Sequence, residues 1–349
     1  MPQPLPLTYV LHSGELFGTE RMALATLQAL RSQFQGLILA PPGPIHALAR
    51  ASGIASIETR GRLAVVRQLW RQLRRRSDGA LCTTGVWQAL AGRVLQALLR
   101  GHGAQLHVVH GGTDERLSYG RKRWLLPLGV HLVAVSDFVA ERLQAHGVPA
   151  ERIEVVHNFL PGQPPAQRPR FVAPGVRRVL MLSRLDRIKR VSLLFDALDA
   201  EPGLQALQFD VYGSGEELSA LRQRALRHPN VRLHGFVPDA AAALCHADLL
   251  LHTCPEEPFG LVLLEAFAAG VPVLVANAGG AGRMVKNGVN GWHFSANEPR
   301  LLAQRLLALS QMPAAALNDC VSAARASLRD EFHPARQSAR YAALVRASR

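Results

Sequence analysis

The sequence predicts an α/β protein made of two Rossmann-like, doubly wound parallel-sheet domains. Short apolar runs of strand length alternate with helical patterns along both halves of the chain, as is typical of βαβ units. A length of 349 residues favours two domains, and 48% hydrophobic residues suffice for packed cores. Residues 160–176 are rich in proline and glycine and have no apolar period, as expected of a linker. We therefore predict domains at 1–165 and 166–327, followed by a closing segment at 328–349.

In the first half, apolar runs of strand length are followed by helical patterns. The helix at 63–76 carries a basic face, and Ser136 is placed to cap the last helix. A loop with Gly14 and Gly18 follows the first strand; such loops bring backbone amides close to phosphate, although a plain tight turn has the same composition. The predicted strands are 7–11, 36–40, 80–83, 105–110, 130–135 and 153–156. The first predicted helix ends near residue 30, and the others span 44–52, 63–76, 86–99 and 136–146.

The second half repeats this alternation. Gly213-Ser-Gly215 is expected to open a helix, and two or three helices close the chain. In parallel sheets of this kind, ligands are expected at the carboxyl ends of the strands. The predicted strands are 179–182, 208–212, 231–234, 248–252 and 291–294, with helices at 192–198 and 239–246 and a buried helix and strand within 258–281.

Two carboxylates, Glu257 and Glu265, interrupt the apolar stretch 254–277. Pro258 suits the first turn of a helix and Gly270 its end. Eight helical steps would then separate the carboxylates by about 12 Å, which suits an elongated ligand rich in hydroxyl groups. An N-cap and a rim carboxylate are the simpler alternative, and Glu256 competes with Glu257. Glu265 needs a partner, because its surroundings are too apolar for an unpaired charge.

Polar side chains also follow other predicted strands. Arg184 and Lys189 lie on the loop after the first strand of the second half. They could clamp a diphosphate, or they could be solvated surface charges. His110 ends a strand before a double glycine and could face a cleft as an acid–base group. A structural hydrogen-bonding role is equally consistent with the sequence, and His107 competes for the site.

Composition narrows the function classes without choosing a partner. A net charge of +14 suits nucleic acid, anionic lipid or phosphorylated ligands. The four cysteines are widely spaced, and no Asp-x-Asp or His, Cys and carboxylate cluster is evident, so no metal site is predicted. We expect neither a secretory signal nor a membrane span, and reduced thiols in a cytoplasmic protein.

Several short motifs combine these features. They are Gly18-Thr-Glu-Arg21, Val-Ser136-Asp-Phe-Val-Ala, Ser-Arg184-Leu-Asp-Arg-Ile-Lys189, Tyr-Gly213-Ser-Gly215, Gly235-Phe-Val-Pro, Glu257-Pro-Phe-Gly-Leu-Val-Leu-Leu-Glu265-Ala, Gly279-Gly280 and Asn287-Gly-Val-Asn-Gly291. Together they resemble the GT-B glycosyltransferases, in particular the retaining enzymes of family 4, over nearly the whole chain and most strongly over 177–295. The resemblance implies two domains that face a cleft, with the last helix crossing back to the first domain.

The resemblance also implies a nucleotide-diphosphate sugar as donor, bound mainly by the second domain without a metal ion. Arg184 and Lys189 would neutralise the diphosphate, which fits the negative charge that builds on the leaving group. The amides of Gly260 and Leu261 would face sugar and phosphate. Gly18 would let the loop of the first domain close on the donor.

The remaining donor contacts follow from the same resemblance. Glu257 would contact the hydroxyls of the donor sugar, and Glu265 would hold the ribose. The backbone around Phe236 and Val237 would meet the base, and His110 matches an active-site histidine of the family. Gly213 belongs to the same donor-binding set. Arg283 stands where the family commonly has glutamate, so the sequence does not predict which sugar is transferred.

The acceptor is open between saccharides and lipid-linked molecules, which suggests cell-surface polysaccharide or lipopolysaccharide synthesis. Two basic segments with tryptophan, 70–76 and 121–126, suit peripheral contact with an anionic membrane at the inner face of the cytoplasmic membrane, although solvated helix faces look alike. A GT-B sugar-nucleotide epimerase or phosphorylase, and a transferase that only binds its donor, are alternatives. A basic nucleic-acid-binding protein is disfavoured, because aromatic residues make up only 6% and no recognition motif occurs.

Overall fold

The chain divides into two compact units, each built on one parallel sheet. A computed structural model describes residues 4–112, 115–162, 164–237 and 240–347. The first unit comprises Met1–Gly162 and His333–Arg349, and the second comprises Gln163–Phe332. Two doubly wound parallel sheets were predicted from the alternation of elements, and this prediction is confirmed.

The first unit contains a seven-stranded sheet with the strand order β3-β2-β1-β4-β5-β6-β7. Its strand order reverses between β1 and β4, where a crevice forms at the carboxyl ends of the strands. The strands are β1 (Leu5–Val10), β2 (Phe34–Ala40), β3 (Ala55–Glu58), β4 (Ala80–Thr83), β5 (Gln105–Val109), β6 (His131–Ala134) and β7 (Ile153–Val155), and the helices are α1 (Gly18–Ala29), α2 (Ile45–Ala51), α3 (Gly61–Arg75), α4 (Val86–Leu98), α5 (Glu115–Ser118) and α6 (Asp137–Ala145).

The second unit contains a six-stranded sheet with the order β10-β9-β8-β11-β12-β13, which reverses between β8 and β11. The strands are β8 (Arg178–Leu182), β9 (Gln208–Tyr212), β10 (Val231–Gly235), β11 (Leu249–His252), β12 (Val273–Ala276) and β13 (Trp292–Phe294), and the helices are α7 (Ser192–Ala200), α8 (Leu218–Ala225), α9 (Leu261–Ala269), α10 (Gly279–Met284), α11 (Pro299–Leu309) and α12 (Ala314–Asp330). The last helix, α13 (Pro334–Ala347), belongs to the first unit and packs against α1.

Burial explains why the sequence forms these elements. The central strands β11 and β12 are buried along their whole length, and strands covered on both faces are continuously apolar. Helix α9 is almost entirely buried, which explains why its sequence is apolar except for Glu265. By contrast, α3 buries only Val65, Leu69 and Leu73 on one stripe, so its arginines face away from the core. Within the described residues, no helix combines the length and hydropathy needed to span a bilayer.

Several predicted elements differ from the structure. Strand β3 was missed because it is short and at most half-buried. The helix expected after Gly213-Ser-Gly215 begins only at Leu218. The helix predicted at 239–246 is a 3-10 helix over Ala240–His246, and Asp239 lies outside the described residues.

The segment predicted to be a linker packs on the second unit from Arg168 onwards. The Arg168 guanidinium lies 2.9 Å from Asp248 and 3.6 Å above the centre of the Phe171 ring. Phe171 is itself buried and donates its backbone N–H to Asn318 Oδ1 at 3.1 Å. Proline and glycine content did not reveal these specific contacts.

Candidate active site

The candidate site lies where the strand order of the second sheet reverses. Strands β8 and β11 are neighbours there, and the carboxyl ends of such strands flank a binding crevice. The loop after β8 carries Lys189, and the loop after β11 carries Glu257. Thr253 Oγ1 donates a hydrogen bond to the Lys189 carbonyl oxygen at 2.7 Å, which fixes one loop against the other.

Lys189 and Glu257 form an ion pair at this crevice. Lys189 Nζ lies 2.6 Å from Glu257 Oε2, with the two side chains 16% and 14% exposed. Burial alone would raise the pKa of Glu257, but Lys189 and His252 outweigh it and hold the pKa well below its ordinary value. Burial likewise opposes the charge on Lys189, yet Glu257 raises the pKa of that ammonium above its ordinary value. Both groups are therefore charged at neutral pH.

Two further side chains accompany Glu257, and neither was predicted from the sequence. His252 Nε2 lies 3.4 Å from Glu257 Oε2. Single atoms of His252, Cys254 and Glu257 that can bind a metal lie within 4.8 Å of one another. The statement that no His, Cys and carboxylate cluster occurs is therefore wrong. The alternation of strand β11 into the following turn places residues 252 and 254 on one side, and this spacing was the available signal.

The loop before α9 places Glu257 in the crevice. Helix α9 begins at Leu261, not at Pro258 as predicted, because Gly260 has a φ of 90° that cannot continue a helix. The estimate of eight helical steps between Glu257 and Glu265 is therefore wrong. Gly270 ends the helix as predicted, with a φ of 74°.

A glycine pair on the opposite side holds this loop. Gly280 donates its backbone N–H to the Glu257 carbonyl oxygen at 2.7 Å. A side chain at Gly280 would collide with the Pro258 carbonyl oxygen, so only glycine lets the backbones approach so closely. Glu256 is exposed while Glu257 is largely buried, which settles which of the two faces the crevice.

The helix start contributes backbone amides and Glu265 contributes a buried carboxylate. Gly260 and Leu261 lie at the N-terminus of α9, where backbone N–H groups and the helix dipole favour anions. Glu265 lies one turn further along and is 6% exposed. Predicted site residues Glu257, Gly260 and Leu261 thus lie together on one short segment.

Arg184 and Gly213 lie on adjoining loops after β8 and β9. The Arg184 guanidinium is 56% exposed and lies 3.0 Å from Asp186, so it is available to an incoming anion. Gly213 has a φ of 146°, and a side chain there would collide with the Ser183 carbonyl oxygen. Gly213 therefore fixes the close approach of these two loops.

Phe236 and Val237 follow strand β10 at the outer end of the same sheet. Phe236 is 72% exposed, so its ring is accessible to a ligand. Val237 is half-buried and borders a cavity of about 320 Å³. Two strands, β9 and β8, separate β10 from the Glu257 loop.

In the first unit, His110 and Gly18 follow β5 and β1. Burial and the neighbouring His12 lower the pKa of His110 to about 3, so the imidazole is neutral at physiological pH. Its Nε2 atom is buried and has no hydrogen-bond partner among the described residues. His107 lies within β5 and contacts Thr83 Oγ1 at 3.0 Å, which favours a structural role for it. Gly18 is exposed at the start of α1.

Comparison with known families assigns the chain. Residues 18–161 match the family model described as Glycosyltransferase Family 4, and residues 166–327 match the model Glycosyl transferases group 1. The chain belongs to the family-4, group 1 glycosyltransferases. The resemblance to family-4 glycosyltransferases inferred from the sequence motifs is thereby confirmed at the level of the family.

Curated relatives match over part of their length. Glycogen synthase from Mycobacterium tuberculosis is 30% identical over 234 residues, which is 63% of this chain and 55% of the relative. The putative colanic acid biosynthesis glycosyltransferase WcaL from Escherichia coli is 28% identical over 215 residues, or 58% of this chain and 53% of that protein. The chain thus spans about half the length of these relatives.

Solved structures match over the whole chain. HepE from Anabaena, crystallised with UDP-glucose, has a TM-score of 0.82 and 21% identity, covering 98% of this chain and 100% of that one. The lipopolysaccharide outer core galactosyltransferase WaaB in its apo form has a TM-score of 0.74 and 16% identity, covering 99% and 100%. At these identities the likeness establishes the fold, and the predicted GT-B class is confirmed.

Proposed function

We propose that this protein is a glycosyltransferase that moves a sugar from a nucleotide-diphosphate sugar to a saccharide or lipid-linked acceptor. The observation that carries the proposal is the Lys189–Glu257 pair at the strand-order reversal of the second unit. A cation suits a diphosphate and a carboxylate suits sugar hydroxyls, so the pair supplies partners for both parts of a nucleotide sugar. Membership of the family supports the same activity.

The leaving group is the first requirement of this chemistry. Departure of a nucleoside diphosphate builds negative charge, which fixed cations and backbone amides stabilise. Lys189 and the exposed Arg184 supply cations, and the amides of Gly260 and Leu261 supply donors at the start of α9. Because the chain itself provides these charges, we propose that donor binding needs no metal ion.

The donor sugar and nucleoside would be held by the carboxylates and the outer strand. We assign Glu257 to the sugar hydroxyls and Glu265 to the ribose, since carboxylates accept hydrogen bonds from hydroxyl groups. The exposed Phe236 and the half-buried Val237 offer an apolar surface for the base. Gly213 would act by keeping the neighbouring loop close enough for these contacts.

His110 is proposed to act in the first unit as a neutral hydrogen-bonding group for substrate. Its low pKa makes the imidazolium form inaccessible near pH 7, so it would not serve as a general acid there. Its buried, unpartnered Nε2 atom is suited to a substrate hydroxyl. Gly18, at the exposed start of α1, offers backbone amides for an anion.

We further propose retention of the anomeric configuration, a role in cell-surface polysaccharide or lipopolysaccharide synthesis, and peripheral contact with the inner face of the cytoplasmic membrane. Trp124 is 52% exposed and Arg121 lies 5.9 Å from the centre of its ring, a pairing suited to a membrane interface. Lys122 is buried and donates to the Leu117 carbonyl oxygen at 3.0 Å, so it does not belong to this surface. Co-sedimentation with anionic vesicles should weaken as salt rises; no binding at low salt would contradict the contact.

A screen of nucleotide sugars by thermal shift tests the donor class. We expect at least one nucleoside diphosphate and its sugar to raise the melting temperature, with EDTA leaving the shift unchanged. Products formed with saccharide and lipid acceptors would then be analysed by NMR for the anomeric configuration. If no nucleotide sugar binds, the transferase assignment fails; an epimerised nucleotide sugar formed without acceptor would identify a different enzyme.

A further inference from the structure

Three side chains in the second unit form a cluster whose atoms suit a transition metal. His252, Cys254 and Glu257 each present one ligand atom, and these atoms lie within 4.8 Å of one another. The proposed transferase chemistry uses Glu257 directly, whereas His252 acts only through its contact with that carboxylate and Cys254 has no role. A nitrogen, a sulfur and an oxygen donor therefore converge beside the proposed donor site, and only the oxygen donor contacts substrate in the proposed chemistry.

The second observation concerns the ring of His252. The residue is 5% exposed, and its Nε2 atom is buried without a hydrogen bond among the described residues. This nitrogen is nonetheless aimed at Glu257, whose Oε2 atom lies 3.4 Å away. This nitrogen and the carboxylate oxygen therefore face the same point, where one metal ion could bind both.

The spacing fits tetrahedral coordination. Zinc binds cysteine sulfur, histidine nitrogen and carboxylate oxygen at about 2.0–2.3 Å, which places neighbouring ligand atoms about 3.3–3.6 Å apart. The His252–Glu257 separation of 3.4 Å already matches. The cysteine sulfur, within 4.8 Å of both partners, would approach through a small rotation of its side chain.

We propose that His252, Cys254 and Glu257 form an inhibitory binding site for Zn²⁺. On binding, the Cys254 thiol loses its proton to solvent, His252 presents the lone pair of a ring nitrogen, and the Glu257 carboxylate moves from Lys189 to the metal. Water fills the fourth position. The soft sulfur donor selects Zn²⁺ over Mg²⁺ or Ca²⁺, which prefer oxygen ligands.

Inhibition follows from the double use of Glu257 and rests on the proposed function. A carboxylate that ligates zinc can no longer accept hydrogen bonds from a donor sugar. Lys189 also loses the partner that lies 2.6 Å from its ammonium and fixes its position. Zinc and the nucleotide sugar should therefore compete for Glu257, even though their binding sites overlap only in part.

Direct metal binding is the primary test and is independent of any nucleotide. The full chain would be titrated with Co²⁺, whose bond to thiolate gives a near-ultraviolet charge-transfer band, and with Zn²⁺ against a chromophoric chelator. We expect one tight site per chain and one proton released. Cys254→Ser and His252→Gln should each weaken Zn²⁺ binding by more than about tenfold, because losing even a residue that only supports a metal ligand typically costs at least that much.

Cys245→Ser is the matched control, because this cysteine lies outside the cluster and its sulfur contacts the Ala242 carbonyl oxygen. The control should bind Zn²⁺ as the wild type does. Equal affinity in all four proteins, or loss only in the control, would overturn the site. Circular dichroism identifies an unfolded variant, and two independent ligand substitutions keep the test decisive if one of them fails to fold.

The functional arm uses UDP-glucose and the thermal shift. Zn²⁺ should abolish stabilisation by UDP-glucose in the wild type and in Cys245→Ser, with recovery after EDTA, and should leave any shift of Cys254→Ser unchanged. Zinc binding without competition would overturn the inhibitory role. If no nucleotide sugar binds even without zinc, the proposed function fails, whereas the cobalt and zinc titrations still decide the metal site.

Discussion

Replacing Lys189 by alanine perturbs the pair around which the candidate site is built. Its ammonium lies 2.6 Å from Glu257, and both side chains are about one-seventh exposed. Removing one partner of a fully buried pair costs about 3–5 kcal/mol. His252 and the remaining solvent contact reduce this penalty, so we expect a loss of about 2–3 kcal/mol. For a unit of this size, that corresponds to a fall of roughly 4–12 °C in melting temperature.

The loss of stability caused by Lys189→Ala should depend on pH. The pKa of Glu257 is held below its ordinary value, so the pair contributes fully above about pH 4.3, the unfolded value, and its contribution fades as the pH falls further. Without Lys189, burial should raise the pKa of the carboxyl, and the variant should lose stability as the pH rises. The difference between wild type and Lys189→Ala should therefore grow from pH 4 to pH 7.

Urea unfolding of wild type, Lys189→Ala and the double variant Lys189→Ala/Glu257→Gln measures the effect. The double variant should be more stable than Lys189→Ala, because it no longer buries an unpaired charge. Lys286→Ala is the control, since Lys286 and Glu331 pair at 2.8 Å but are 60% and 43% exposed and should cost less than about 1 kcal/mol. Equal costs for the two lysines, or a flat pH dependence, would refute the reasoning.

Three other changes give separate outcomes. Arg184→Ala should weaken UDP binding about tenfold without changing the melting temperature, since a charge-assisted hydrogen bond contributes about 1.5 kcal/mol or more. Arg187→Ala, which removes a more exposed side chain, is the control, and equal UDP affinity in both variants would contradict the assignment. Burial raises the pKa of Glu20 to about 7, so the first unit should lose stability as the pH rises from about 4.5 to above 7. Glu20→Gln should remove this pH dependence and raise the free energy of unfolding at pH 8 by about 3 kcal/mol, as measured by urea unfolding. Gly280→Ala should cost about 2–3 kcal/mol of stability, because the new methyl group meets a backbone carbonyl oxygen. Gly288→Ala should cost about 1 kcal/mol, because its methyl group meets only open space and the φ of 77° is the only penalty. Similar losses for the two variants in calorimetry would show that the close approach at Gly280 is not limiting.

Local sequence predicted strands well where a clear apolar run or alternation was present. Strand 80–83 matches β4 at both ends, because a continuous buried run bounded by glycine and a polar residue permits few alternatives. Strand 208–212 matches β9 at both ends, and there the signal is the alternation of buried with less buried residues. Strand β3 was missed because an edge strand needs little apolar surface. The start of α9 was misplaced because proline tolerates a first helical turn, while the conformation of Gly260 is set by the packed loop.

The individual charged residues of the candidate site were predictable, but the ion pair between two of them was not. Arg184, Lys189, Glu257 and Glu265 were singled out as charged groups beside strand ends or within apolar sequence. That Lys189 pairs with Glu257 depends on two neighbouring loops, whereas Arg184 pairs with Asp186 within its own loop. Residues 68 positions apart along the chain meet in the first pair, a contact that spacing does not reveal.

The sequence by itself determined the α/β class, the family and the segment that holds Glu257, because periodicity and short motifs are local properties. The tertiary structure alone decided that Glu257 faces Lys189 while Glu256 faces solvent, and that His252 and Cys254 stand beside them. The physical reason is the order of the second sheet, in which β8 and β11 become neighbours only after the chain has crossed over the sheet. That adjacency turns two distant loops into one charged crevice.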